Sequence, residues 1–184
     1  MRVGAMTVGI FAAVCPLFSA SASATISETQ SDIDRQLGEH VNSIRRAGGT
    51  DIIVDTAPYT PVQVPTSPAP ASTAGDSTCT LQVVFYTQGD TVRNSSTTAC
   101  RLRPTTGTMT PTIRRFDHTT TTWAELGRVT ETMHNKRSVV TSTGALRAHT
   151  HTCTFAAATY GSVWFGRTRY EAYAYATGSF DLEE

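Results

Sequence analysis

The chain has 184 residues, 16% of them charged, and its basic and acidic side chains balance to a formal net charge of zero. That length excludes two large domains and suits one domain with a real core. The absence of a dense Lys/Arg run excludes a polybasic nucleic-acid tail, and abundant threonine with few charges favours sheet over helix.

Residues 1–24 have the layout of a secretory signal peptide: Arg2, an apolar run from Val3 to Phe18, then small residues with Ala22 and Ala24 at −3 and −1 of a cleavage site. The run is too short and too interrupted, by Thr7 and Pro16, for a stable bilayer span. Val14 is too bulky for the small residue a lipoprotein signal places before its cysteine, Cys15. A free, exported protein without a stable membrane anchor is therefore expected, secreted outside the cell.

Residues 25–56 form a short acidic helical segment. Ser27 and Gln30 fit a capping box, and Ile33, Leu37, Val41 and Ile44 recur at helical spacing until Gly48-Gly49 stops the run. Such a narrow stripe needs a partner surface to persist, either the protein's own domain or an outside partner. Asp51–Asp55 reads as a short strand. Residues 57–76 then read as a semi-rigid linker, with Pro58, Pro61, Pro65, Pro68 and Pro70 among Ser, Thr and Ala. Residues 25–76 carry three Arg against seven Asp/Glu, whereas residues 77–184 carry ten Arg and one Lys against eight Asp/Glu.

Residues 77–184 have the signature of the folded domain. Cys79, Leu81, Val83 and Phe85 alternate with Thr80, Gln82, Val84 and Tyr86 at the period of a half-buried strand. Gln88-Gly89-Asp90 reads as a turn, and Thr97–Arg103 as the next strand, closed by Pro104. Further extended runs cover 112–116, 119–130 and 131–134. Thr143-Gly144-Ala145 and Tyr160-Gly161-Ser162 read as turns, followed by the aromatic-rich runs 163–165 and 168–177. Seven or eight short strands imply a mainly β fold, an antiparallel β-sandwich or barrel-like domain with one short N-terminal helix.

Removing the signal leaves Cys79, Cys100 and Cys153, an odd number for an oxidising compartment. Both Cys79–Cys100 and Cys100–Cys153 bridges are compatible with the spacing. Cys100–Cys153 is preferred because Cys153 precedes a large apolar cluster, which makes Cys79 the expected free thiol. His149, His151 and Cys153 alternate along one strand face, a donor set suited to zinc or copper if Cys153 is a free thiolate, with His118 or His134 as a fourth group. The opposing reading makes the two histidines rim residues.

No motif identifies a catalytic activity: neither a Gly-x-Ser-x-Gly elbow nor a His-Glu-x-x-His pair is present. Asp117-His118 fits a turn better than an oriented imidazole. Asn94-Ser95-Ser96 matches the glycosylation acceptor pattern. Arg114, Arg115, Arg167 and Arg169 with Tyr170, Tyr173 and Tyr175 suggest either a basic aromatic face or a strand with Tyr and Ala packed inward. The sequence thus points to a secreted, non-enzymatic binding domain whose partner is an extracellular protein or a glycan and not a nucleic acid. A zinc- or copper-binding protein is the rival class, and an unrecognised hydrolase the third.

Overall fold

The computed structural model describes residues 29–62, 78–146 and 153–180. The expected signal peptide, most of the proline-rich linker, and both His149 and His151 lie outside the described residues. The described chain runs α1 (Gln30–Arg46), β1 (Thr50–Pro58), β2 (Thr60–Pro61), β3 (Cys79–Gln88), β4 (Thr91–Cys100), β5 (Thr106–Asp117), β6 (Thr122–Arg128), β7 (Glu131–His134), β8 (Ser138–Leu146), β9 (Cys153–Phe165) and β10 (Thr168–Phe180). Two antiparallel sheets result, one ordered β1-β3-β4-β8 and the other β2-β10-β9-β5-β6, with β7 also pairing with β5. The fold is the expected sandwich-like arrangement with one helix.

The core lies between the sheets. Leu81, Val83 and Phe85 of β3 face Met109 and Ile113 of β5, Phe155, Ala157 and Val163 of β9, and Ala172, Ala174, Ala176 and Phe180 of β10. Phe180 joins the layers, its ring 5.2 Å from Phe85 and 6.2 Å from Phe155. The alanines of β10 are small because these rings occupy the space above them.

β4 contributes a different inner row. Asn94, Ser96 and Thr98 are fully buried. The Asn94 amide nitrogen reaches the main-chain oxygens of Thr112 (3.0 Å) and Ala158 (3.2 Å), so one side chain of the first sheet holds two strands of the second. Ser96 donates to Asn94 Oδ1 at 2.8 Å and lies 2.6 Å from the Thr159 hydroxyl. Asn94 is therefore a structural group and not a surface acceptor for a glycan, correcting what its Asn-Ser-Ser sequence suggested.

The residues before the proline-rich segment belong to the same fold as those after it. β1 pairs with β3 from Thr50↔Thr87 to Pro58↔Thr80, so the sandwich takes in residues expected to precede it, and its sheet runs past the expected linker start at Ala57. β1 is an edge strand, the position in a sheet where proline is tolerated. Tyr59 follows as a core residue, its hydroxyl 2.7 Å from Thr98 Oγ1. Asp55 Oδ2 accepts the Tyr175 N–H at 2.8 Å, tying this edge to the second sheet.

Helix α1 covers the outer face of the first sheet. Thr29 and Asp32 form its capping box in place of the expected Ser27 and Gln30, and the stripe Ile33, Leu37, Val41 and Ile44 is buried as its spacing predicts. Ile33 and Leu37 pack on Ala99, while Val41 and Ile44 pack on Val84 and Tyr86. β3 is consequently buried on both faces.

Two glycines read as turns lie inside strands. β9 runs straight through Gly161, where a Cβ would coincide with the Tyr59 hydroxyl. β8 runs through Gly144, whose carbonyl lies 3.1 Å from the Cβ position of Gly127 on β6. Gly161 thus makes room for Tyr59, whereas at the second contact the missing side chain of Gly127 lets β6 approach β8. The β9–β10 reversal instead falls at Gly166, with φ +60°, as a glycine-first two-residue hairpin requires.

Candidate functional site

Cysteine pairing differs from the expected Cys100–Cys153 bridge. The structure joins Cys79 to Cys100 and leaves Cys153 as the free thiol in place of Cys79. The reason is register: Cys79 and Cys100 stand directly opposite on adjacent antiparallel strands, with Cα atoms 4.0 Å apart. Cys153 begins β9 in the other sheet, opposite Phe180. Closing a loop with a sequence separation of 21 contributes about 3 kcal/mol in the chain-entropy model. The bridge, and the fact that no described helix is long and apolar enough to cross a membrane, are compatible with export. Of the metal-ligand row only Cys153, half-buried, is described; no group of three metal-ligating side chains occurs among the described residues.

The perturbed titratable groups have structural causes. The Asp117 carboxyl is held below its ordinary value by the Thr119 and Thr120 amides it accepts, and Asp32 by its cap with Thr29. Glu125 is held low by its hydrogen bonds to Arg128. Burial pushes the Tyr59 phenol up to about 12, which keeps it protonated as a bridge to Thr98. The Asp117-His118 pair folds as a turn, the imidazole packing edge-on against Phe116 at 4.9 Å instead of bonding the carboxylate. None of these described groups is arranged as an acid–base pair.

A built surface does exist on the outer face of the second sheet. Strand alternation turns Ala172, Ala174 and Ala176 inward and Tyr173 and Tyr175 outward, so aromatic residues that could have filled the core stand in solvent. Tyr173 is 57% exposed, and its ring stacks on Tyr175 with centroids 6.4 Å apart. Tyr160 of β9 lies directly across from Tyr173. Its hydroxyl accepts from Arg169 at 2.8 Å, and Arg169 in turn pairs with Glu171 at 2.6 Å, which tethers the phenol oxygen. Trp164, also exposed, continues the row toward the β9–β10 turn.

Between these rings and β5 the face dips at Ala158. A groove of about 260 Å³ is lined by Thr110, Thr112, Arg114, Arg128, Ala158, Tyr160 and Tyr173. Its depth comes from one small residue in the middle strand: Ala158 has Thr112 on one side and Tyr175 on the other. Arg128 is committed to Glu125 through two hydrogen bonds of 2.9 and 2.7 Å. Of the basic aromatic set suggested by sequence, Arg114, Arg169, Tyr173 and Tyr175 meet on this face, whereas Tyr170 packs against the core and Arg167 sits in the turn. Sequence reasoning missed Tyr160, taken there for a turn residue. No protein-family model matches the chain, and neither does any curated protein or solved structure.

Proposed function

We propose that this is a secreted, non-enzymatic binding domain whose ligand surface is the outer face of β5, β9 and β10. One observation carries the reading: Tyr160, Tyr173, Tyr175 and Trp164 are exposed together on one sheet face, although the same strands turn alanine into the core. Scattered apolar surface residues are ordinary, but a contiguous aromatic patch marks an interaction site. A depletion assay with cellulose, chitin, pectin and isolated cell-envelope fragments tests it. Retention should be lost in Tyr173→Ser/Tyr175→Ser and kept in Val140→Ser, which alters an exposed apolar residue of the other sheet. Equal retention of both variants, or none on any material, overturns the reading.

A second reading, zinc or copper held by His149, His151 and Cys153, is supported by the Cys79–Cys100 pairing, since it leaves Cys153 unbridged. Elemental analysis of exported protein should then find about one metal per chain, lost in Cys153→Ser. Metal-free protein with a labelled Cys153 ends that reading.

A further inference from the structure

We infer that the groove at Ala158 takes the ring of an acidic saccharide, a pyranose bearing a carboxylate within a longer extracellular polymer. The inference rests on the reading of this sheet face as the ligand surface.

Size is the first argument. The groove, about 260 Å³, falls below the ~300–1,000 Å³ of pockets that enclose a whole drug-sized ligand. It suits one unit of something larger, and the open face on either side lets a polymer continue. The stacked pair Tyr173 and Tyr175 extends the aromatic surface along β10 for neighbouring units.

The lining supplies the second argument. Tyr160 and Tyr173 form one flank, and aromatic faces stack on the C–H face of a pyranose. The Tyr160 hydroxyl is already tethered through Arg169 and Glu171, which lowers the cost of ordering it on binding. The opposite flank is hydroxyl-bearing: Thr112 Oγ1 donates to the Ala158 carbonyl at 3.1 Å and Thr110 Oγ1 lies 3.2 Å from Thr130 Oγ1. An oxygen that donates internally still accepts, which matches a ligand rich in O–H donors.

Charge decides the class. Arg128 and Arg169 are each paired with a carboxylate in their own surroundings. Arg114 lines the groove, stands opposite Glu125 on β6, and hydrogen-bonds no carboxylate among the described residues. Its guanidinium fork fits a carboxylate through two parallel hydrogen bonds. Arg114 and Arg128 share the one carboxylate of Glu125, which leaves a single net positive charge at the groove to match one negative charge per unit. A nucleic acid binds through many phosphate contacts, which this face does not offer. A peptide strand needs a free sheet edge, and the groove lies over the middle strand, β9.

The test titrates the exported full chain with hexagalacturonate and with neutral cellohexaose, by calorimetry and by amide chemical-shift mapping. Hexagalacturonate should bind the tighter and shift Thr112, Tyr160 and Tyr173. Arg114→Gln should weaken it about tenfold or more while leaving cellohexaose unchanged, and Tyr173→Ala should weaken both. Equal affinity for the two sugars, indifferent to Arg114→Gln but lost in Tyr173→Ala, overturns the acidic unit and leaves the sheet face as a ligand surface. Binding that survives Tyr173→Ala, or shifts confined to the first sheet, overturns the inference together with the reading beneath it. No binding of either sugar, with the envelope retention above intact, overturns the saccharide alone.

Discussion

The two sheets present opposite outer faces. That of the first carries Val84, Tyr86 and Ala99 and is roofed by α1, whose stripe of Ile33, Leu37, Val41 and Ile44 fits over them. That of the second carries Tyr160, Tyr173, Tyr175 and Trp164 and has no such roof among the described residues. The protein thus contains the means to bury an apolar sheet face and uses it on one side only. The difference teaches where to look for function: the covered side accounts for stability, and the uncovered side holds the groove.

Removing the roof should have the largest effect. Leu37→Ala deletes a buried anchor of α1 and should cost ~2–5 kcal/mol, read as a lower urea midpoint with strand circular dichroism retained at low urea. If Leu37→Ala changes nothing, the helix is not part of the stable fold and the contrast between the faces fails.

The covered face also has a flaw that can be repaired. Gln82 and Thr97 lie opposite each other between the two patches gripped by the helix, and Gln82 Oε1 and Thr97 Oγ1 are buried without hydrogen-bond partners among the described residues. Thr97→Val replaces the stranded hydroxyl with a methyl of similar shape and should raise stability by about 1 kcal/mol. Loss of stability would show that the hydroxyl has a partner.

A gentler probe is pH. His40 of α1 meets Ser95 at 3.1 Å, and burial lowers its protonation below the ordinary value of 6.5. A lowered folded value means the unfolded chain binds the proton more readily. The contribution is therefore present above 6.5 and is lost as pH falls from there through the folded value. Urea midpoints measured across that window should decline with acid, and His40→Gln should abolish that part of the slope.

The smallest stability effect belongs to the open face. Tyr175→Ser should alter stability by less than about 0.5 kcal/mol, because the ring rests on a neighbour and on solvent. A larger loss, measured by the same unfolding assay, would make Tyr175 a packing residue and weaken the case for a ligand surface.

Much of this contrast was legible before any coordinates. The helical stripe and the alternation of β3 are periodic signals, and both elements formed as their spacing dictates. Face assignment was harder. Tyr and Ala alternate in β10, and the usual preference for large residues inside points the wrong way, because Phe85, Phe155 and Phe180 already fill the space. Gly161 misled for a related reason: a glycine that makes room for a side chain packed against it, here Tyr59, is spelled like one that turns the chain. Tyr59 was hidden among prolines, since nothing local marks a residue whose partner, Thr98, lies 39 positions away. Cysteine connectivity had no local signal either, being decided by the β3–β4 register.

The polar row inside β4 has a consequence for how the two sheets find each other. Hydrophobic attraction between the sheets has no direction of its own, so it draws the faces together without itself naming one alignment. Asn94 removes that freedom: only one alignment offers it the carbonyls of Thr112 and Ala158 with Ser96 at its oxygen. Any other docking strands those groups, at ~1–3 kcal/mol for each buried partner left unmade. Hydrophobic burial makes the sheets adhere, and a single amide tells them where, as a lone asparagine sets the register of a coiled coil.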